Sequence, residues 1–352
     1  SYNSYLLLDE KTVLFDTADK AVGELFIENL HAALNGRDLD YMIIQHMEPD
    51  HCALIPHVLD LYPGVKVVGS QKTFGMIQQF FGLDLAECAL VMKEGDSFQT
   101  GVHRLRFLMA PMVHWPEVMV TYDETSKWLF SADAFGAFGA INGNLYVDEY
   151  NVDFDLLPEA RRYYTNIVGK YGRQVLTLLE KAANLDIAMI LPLHGPILRQ
   201  DMAYYIEKYS KWASYTPEEH GVVIAYGSIY GNTEKAAELL AAMLAERGER
   251  NIRVYDVSGW HPSYILSECF RFDRIVFASS TYNMEIYPPM ETLLLELKGH
   301  NMQNRTVAVI ENGSWAPQSG KKMRELLAQM KDMRVLDSEI SIRSALTEAD
   351  TE

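Results

Sequence analysis

Gln45-His46-Met47-Glu48-Pro49-Asp50-His51 follows directly on the apolar run Tyr41–Ile44. An apolar run bounded by a polar cluster reads as a buried strand ending in a loop, where α/β proteins place their sites. Four potential metal ligands, His46, Glu48, Asp50 and His51, fall within six residues. Imidazole with carboxylate suits iron, manganese or zinc, and the lack of thiolates argues against a closed structural zinc site. His46, Glu48 and Asp50 share a parity, so an extended or turning segment converges them and leaves His51 to serve a second metal. On its own such a His-rich stretch is more often a polar surface loop than a metal site.

Three further candidates lie past other apolar runs. His114 follows Leu108–Val113, Asp133 follows Trp128–Ser131, and His194 follows Ile187–Leu191. Singly, His114 could cap a loop, Asp133 a turn and His194 a helix start. Seven His, Asp and Glu residues from four strand ends are harder to dismiss. His31, His57, His103, His220, His261 and His300 lack that setting and read as surface or supporting residues.

Around these ligands the first half alternates strands and helices. Tyr5–Leu8 and Thr12–Phe15 flank Asp9-Glu10-Lys11 as a hairpin. Residues 20 to 34 carry Val22, Leu25, Phe26, Leu30 and Ala33 at near-helical spacing. A helix is expected from about Cys52 to Leu61, and a long one over 158–182 with Tyr164, Val168, Val175 and Leu178 on its apolar face.

At 352 residues the chain can bury a sizeable core, and length suggests two domains. A net charge of −17 disfavours nucleic acid and anionic membranes as partners. Three widely spaced cysteines, Cys52, Cys88 and Cys269, form no Cys-x-x-Cys pair, which fits a reducing cytoplasm. No apolar run approaches membrane-spanning length. The chain starts at Ser1 already heading into a strand and stops at Glu352 in an expected helix, so both ends are expected to be incomplete.

Residues 212–220 are polar, Pro-containing and unpatterned, and read as an interdomain linker. Gly221–Tyr226 then reads as a buried parallel strand running into Gly227-Ser228-Ile229-Tyr230-Gly231-Asn232-Thr233 and a helix with Ala236, Leu239, Leu240, Met243 and Leu244 on one face. Strand, small hydroxylic loop, helix builds an anion site from backbone N–H groups. With no Walker lysine and no Gly-x-Gly-x-x-Gly, a phosphate monoester suits it better than a dinucleotide. Two later strands, Ile275–Ala278 and Thr306–Ile310, end in loops at 279–285 and 311–317. Ligands of open parallel sheets bind beyond such ends. Thr281, Tyr282 and Asn283, then Asn312, Gly313, Ser314, Trp315 and Ala316, are the candidates there, the two aromatics suited to flank a planar ring.

The pattern His46-x-Glu48-x-Asp50-His51, with His114, Asp133 and His194 and the words Phe130-Ser131-Ala132-Asp133-Ala134-Phe135-Gly136 and His194-Gly195-Pro196, resembles the flavodiiron proteins, or A-type flavoproteins. Glu48 stands where zinc hydrolases of the same superfamily carry histidine. The resemblance implies an α/β chain: a metallo-β-lactamase-like αββα sandwich over 1–216, then a flavodoxin-like doubly wound parallel sheet over 217–352. It implies one iron on His46, Glu48 and His114, a second on Asp50, His51 and His194, and Asp133 bridging the pair. FMN would sit on the phosphate loop from Ser228 to Thr233, with its ring held by 280–285 and 312–316. The implied activity is reduction of dioxygen to water, of nitric oxide to nitrous oxide, or of both. The implied partners are an electron donor such as rubredoxin or a reduced deazaflavin, and a second copy in a head-to-tail dimer or dimer of dimers. The competing readings are a dinuclear zinc hydrolase fused to a flavodoxin-like module, and a plain flavin electron shuttle.

Overall fold

In the computed structural model residues 1–351 are described; Glu352, on which the expectation about the chain's last helix falls, lies outside them. The chain forms two compact units, Ser1–Tyr163 with Arg173–Ile206, and Tyr164–Gly172 with Glu207 onward.

The first unit holds two five-stranded sheets. In one, β1 (Tyr5–Leu8) and β2 (Thr12–Phe15) form the expected hairpin, and β3 (Tyr41–Ile43), β4 (Lys66–Gly69) and β5 (Ala89–Val91) add in parallel. In the other, β6 (Ser97–Gln99), β7 (Arg104–Met109), β8 (Met119–Asp123) and β9 (Trp128–Phe130) run antiparallel, with β10 (Met189–Leu191) parallel to β9. A period of two sorts the first sheet into two buried faces. Val13, Phe15 and Ile43 pack with Leu105, Phe107, Met119 and Phe130 of the other sheet, where the rings of Phe15 and Phe130 stack 3.8 Å apart. Leu14 and Met42 pack the opposite way, onto Leu30 and Leu34 of α1 (Gly23–Leu34), Ile55 and Val58 of α3 (Ile55–Leu61) and Ile77 of α4 (Gln71–Phe81).

Several local expectations are corrected. Helix resumes after β3 at Pro49 rather than Cys52, as the single turn α2 (Pro49–Cys52). Proline fits the first helical position because its fixed φ suits the turn and its missing N–H would have no partner there. Asp50 and His51 therefore sit on a helical turn, not on an extended segment. β7 stops at Met109, so His114 belongs to a loop, not to a strand end. The expected helix over 158–182 is broken into α5 (Leu157–Tyr163), a π turn at Tyr164–Val168, a 3-10 turn at Gly169–Tyr171 and α6 (Gly172–Ala182), and a further π turn, Val152–Leu156, leads into it. The Tyr215 hydroxyl donates to Gly169 O at 2.8 Å, inside the helical ladder, and such insertions break helices. A Cβ on Gly172 would lie 2.2 Å from Ala213 O, so only glycine admits this close approach. Leu25, expected on the buried face of α1, is 59% exposed.

α7 (Met202–Ala213) begins in the first unit, enters the second at Glu207 and runs into the stretch expected to be a linker. Trp212, Ala213 and Tyr215 are buried there, against Tyr164 and Tyr209 among others, so 212–215 is packed chain. The second unit's sheet orders β12 (Ile252–Asp256), β11 (Glu219–Gly227), β13 (Phe272–Tyr282), β15 (Thr306–Asn312) and β16 (Arg334–Val335), all parallel. β17 (Ile340–Ile342) continues the place of β16 along β15, and β14 (Glu285–Ile286) folds back on β13. Both inner strands outrun their expected ends, β13 to Tyr282 and β15 to Asn312. Strand order reverses about β11, which is where open α/β sheets bind ligands. α8 (Asn232–Glu246) buries Thr233, Ala236 and Ala237, while Leu239 is exposed.

Candidate functional site

The seven first-unit candidates converge. Asp16, just past β2 at φ 54°, accepts from Gln45 N at 2.8 Å, His46 N at 3.2 Å and Gln45 Nε2 at 3.1 Å. Burial pushes its carboxyl up to about 6, against the pull of His51 and these donors. Asp16 thus shapes the turn that carries His46. Thr17 donates through both N and Oγ1 to His51 O, each at 2.7 Å, and holds α2.

His46 Nε2 lies 3.3 Å from both Glu48 Oε2 and His114 Nε2, and His114 Nε2 lies 3.0 Å from Glu48 Oε2. In the second group His51 Nε2 lies 2.9 Å from His194 Nε2 and 3.4 Å from Asp50 Oδ2, with His194 Nε2 3.2 Å from the latter. Asp133 stands between them: its Oδ2 is 3.1 Å from His114 Nε2 and its Oδ1 3.2 Å from His51 Nε2. Two donors held about 2.1 Å from one ion at right angles lie about 3.0 Å apart, the spacing seen in both groups.

Charge follows the same arrangement. Burial alone would lower His46, His114 and His194; the facing carboxylates overcome it, holding His46 well above the usual imidazole range and the other two above it. Conversely, burial would raise Asp133 and Glu48, but the imidazoles hold Asp133 well below the carboxylate range and Glu48 at about 2.

The residues fit a metal pair by two observations. Their donors are imidazole and carboxylate only, which suits iron or zinc. Also, buried Asp50 Oδ1 and Asp133 Oδ1 find no hydrogen-bonding partner in the protein, an unusual cost in a native interior. Asp133 Oδ1 is within ion-pair range of His51 but lacks hydrogen-bond geometry, so we count it as unsatisfied. Cys52 is fully buried, its Sγ donating to Met47 O at 3.2 Å, and burial lifts its thiol to about 12. Glu117, which sequence reasoning passed over, accepts from His46 Nδ1; the acidic residue three places beyond His114 was its only signal.

In the second unit a cavity of about 540 Å³ opens beyond β11, β13 and β15. Ser228, Ile229, Tyr230, Asn232, Thr233, Thr281, Asn283, Asn312, Gly313, Ser314, Trp315 and Ala316 line it as expected; Gly231 and Tyr282 do not. Ser280, Met284 and Ser344 line it too, Ser344 from beyond every expected loop. Gly231 instead makes the turn before α8 at φ 86°, its N donating to Ser228 Oγ at 3.0 Å. No side chain caps α8, so its N-terminal N–H groups are free to bind an anion in the cavity that Asn232 and Thr233 line. Thr281 Oγ1 is committed to α11 (Ser319–Leu327), accepting from Gln318 N at 3.0 Å and Ser319 N at 3.2 Å. A Cβ at Gly313 would meet Pro317 Cα at 2.8 Å. Trp315 is 84% exposed at the rim, a flat surface suited to a ring. The volume, the uncapped helix and the neutral hydroxylic lining fit FMN.

Comparison with known proteins agrees with both halves. Residues 1–195 match the model of the ODP family beta lactamases, and residues 224–351 that of the flavodoxins. The anaerobic nitric oxide reductase flavorubredoxin of Shigella flexneri is 30% identical over 336 residues, 94% of this chain and 69% of that protein. The rubredoxin oxygen:oxidoreductase of Desulfovibrio gigas superposes with a TM-score of 0.92 at 29% identity, over 99% of this chain and 87% of that one. A flavoprotein of Thermotoga maritima gives 0.89 at 28%, over 99% and 87%. Joining an ODP-type β-lactamase fold to a flavodoxin, this chain belongs to the flavodiiron proteins.

Proposed function

We propose that the chain is an oxidoreductase that accepts electrons at FMN and reduces dioxygen to water, nitric oxide to nitrous oxide, or both, at a diiron centre. His46, Glu48 and His114 would hold one iron, Asp50, His51 and His194 the other, and Asp133 both. The observation that carries this is Glu48: its carboxylate completes the His46–His114 group at 3.0 to 3.3 Å where a hydrolase would use imidazole. A hard oxygen donor favours ferric iron over zinc chemistry. When bound, the iron pair supplies electrons to a small gas and FMN replenishes them.

The chain's own residues set the conditions. Fully buried His46, His51 and Asp133 close the floor of the site and exclude water. Glu48 and Asp50, with side chains 36% and 21% exposed, border its open side. Substrate would approach there.

Ser228 to Thr233 would bind the FMN phosphate, with Trp315 and the 312–316 loop against the ring. Along the sequence the domain division would fall between residues 216 and 217, with Tyr164–Gly172 and 207–216 packing as part of the second compact unit. The functional unit would be a head-to-tail homodimer in the cytoplasm, the FMN of one chain serving the irons of its partner, with a rubredoxin-type protein or reduced deazaflavin as donor. Among the described residues no helix is long and apolar enough to cross a membrane.

Iron and flavin analysis with anaerobic turnover on each gas tests the activity. Two zinc ions per chain and no gas consumption would refute it. For the dimer, one variant would lack metal ligands (His114→Ala, Asp133→Ala) and another the phosphate hydroxyls (Ser228→Ala, Thr233→Ala). Mixed dimers should regain part of the turnover; verified subunit exchange with none regained would exclude it.

A further inference from the structure

Glu117 is a buried carboxylate whose only basic neighbour among the described residues is His46. Its side chain has no exposure. Oε1 accepts from His46 Nδ1 at 2.9 Å and from Met47 N at 2.8 Å. Oε2 has neither partner nor solvent. Leaving a carboxylate this way is costly unless positive charge lies nearby.

Position explains what the carboxylate could do. Glu117 sits three residues beyond His114, on the segment leading into β8, yet it grips the backbone and imidazole of the loop after β3. Ser70 Oγ, beside the start of α4, donates to Glu117 O at 2.9 Å and steadies it from behind. One side chain thus ties together the two loops that supply His46, Glu48 and His114. The His51 and His194 group has no such tie: His51 Nδ1 is unpartnered, and His194 Nδ1 donates to a backbone carbonyl, Ser1 O, at 2.7 Å.

We propose that Glu117 is the positioning residue for the His46 half of the metal centre. Accepting a hydrogen bond from Nδ1–H, it fixes the tautomer that leaves Nε2 bare and aimed at Glu48, His114 and Asp133, and it makes the imidazole a stronger donor. A cation on Nε2 would take the place of the proton that metal binding displaces from His46, so positive charge stays beside the carboxylate. The centre is therefore asymmetric, with one half braced by a carboxylate and the other not. This inference rests on the metal reading of the same seven residues.

The test is a stepwise metal titration of the metal-free protein with iron(II), and with zinc(II) as a diamagnetic probe. Wild type should take two ions per chain. Glu117→Gln keeps the shape but not the charge, and should weaken one of the two steps by roughly 10–100-fold while leaving the other within a few-fold. In the zinc-loaded wild type, proton NMR should show a downfield, slowly exchanging His46 Nδ1–H that is lost in Glu117→Ala. A merely structural role would weaken both steps together and leave no such proton to lose. If Glu117→Ala fails to fold, Glu117→Gln carries the comparison; if neither folds even with metal present, Glu117 is structural and the inference falls. Two unchanged steps in Glu117→Gln overturn it as well. Absence of metal from wild type would instead overturn the diiron reading itself.

Discussion

His51 Nε2 and His194 Nε2 lie 2.9 Å apart although 143 residues separate them in sequence. With only Asp50 and the shared Asp133 beside them, they define one half of the centre. Because Asp133 presents one oxygen to each half, Asp133→Ala should lose more iron than His51→Ala, by elemental analysis of purified protein. Equal iron in wild type and Asp133→Ala would remove Asp133 from the centre. Cys52→Ser should keep its iron, since the Cys52 thiol donates to Met47 O and stands outside both ligand groups.

The flavin site should depend on phosphate. Removing the hydroxyls of Ser228 and Thr233 together should weaken FMN binding by about 1–3 kcal/mol. Those hydroxyls also serve the loop, through Gly231 N and Ser280 Oγ, so a melting curve of the flavin-free variant should accompany the titration. Riboflavin should bind far more weakly than FMN. Equal affinities in a fluorescence titration would dispose of the phosphate loop.

Gly313→Ala should also weaken FMN, by a different route. The new methyl would need Pro317 to shift, since its Cα would be 2.8 Å away, and would move Trp315 with the loop. Riboflavin and FMN should lose affinity in the same proportion, because the change is remote from the phosphate end. A loss confined to FMN would contradict this.

Without metal, pH acts on the centre through two opposite windows. His46, His114 and His194 are held above the ordinary imidazole value, so their stabilisation is present below about pH 6.5 and fades as pH rises through their raised values. Asp133 and Glu48 are held below the carboxylate range, so theirs is present above about pH 4 and is lost on further acidification. Metal needs bare imidazole nitrogens, so iron uptake should release protons and strengthen with pH. Thermal melts of metal-free and metal-loaded protein across that range should diverge as pH rises. Parallel curves would show that these imidazoles do not bind metal.

Residue types and local order determined most of the chemistry. The hairpin over residues 5–15, the apolar run before His46, the glycine and hydroxyl loop after Tyr226 and the seven ligands all act through neighbours in the chain, so they can be read without a fold. Pro49 begins α2, although the helix is expected only from about Cys52. Packing decided the rest. Trp212 looks like linker by composition and is fully buried because Tyr164 and Tyr209 meet it in space. The helix over 158–182 has the right period, yet a hydroxyl from Tyr215 and the close passage of Ala213 break it. Glu117 and Ser344 belong to their sites only because distant loops return to them, and the two-sided placement of Asp133 exists only once both sheets are assembled. Such features depend on which surfaces meet through space, and no periodicity or spacing along the chain encodes that.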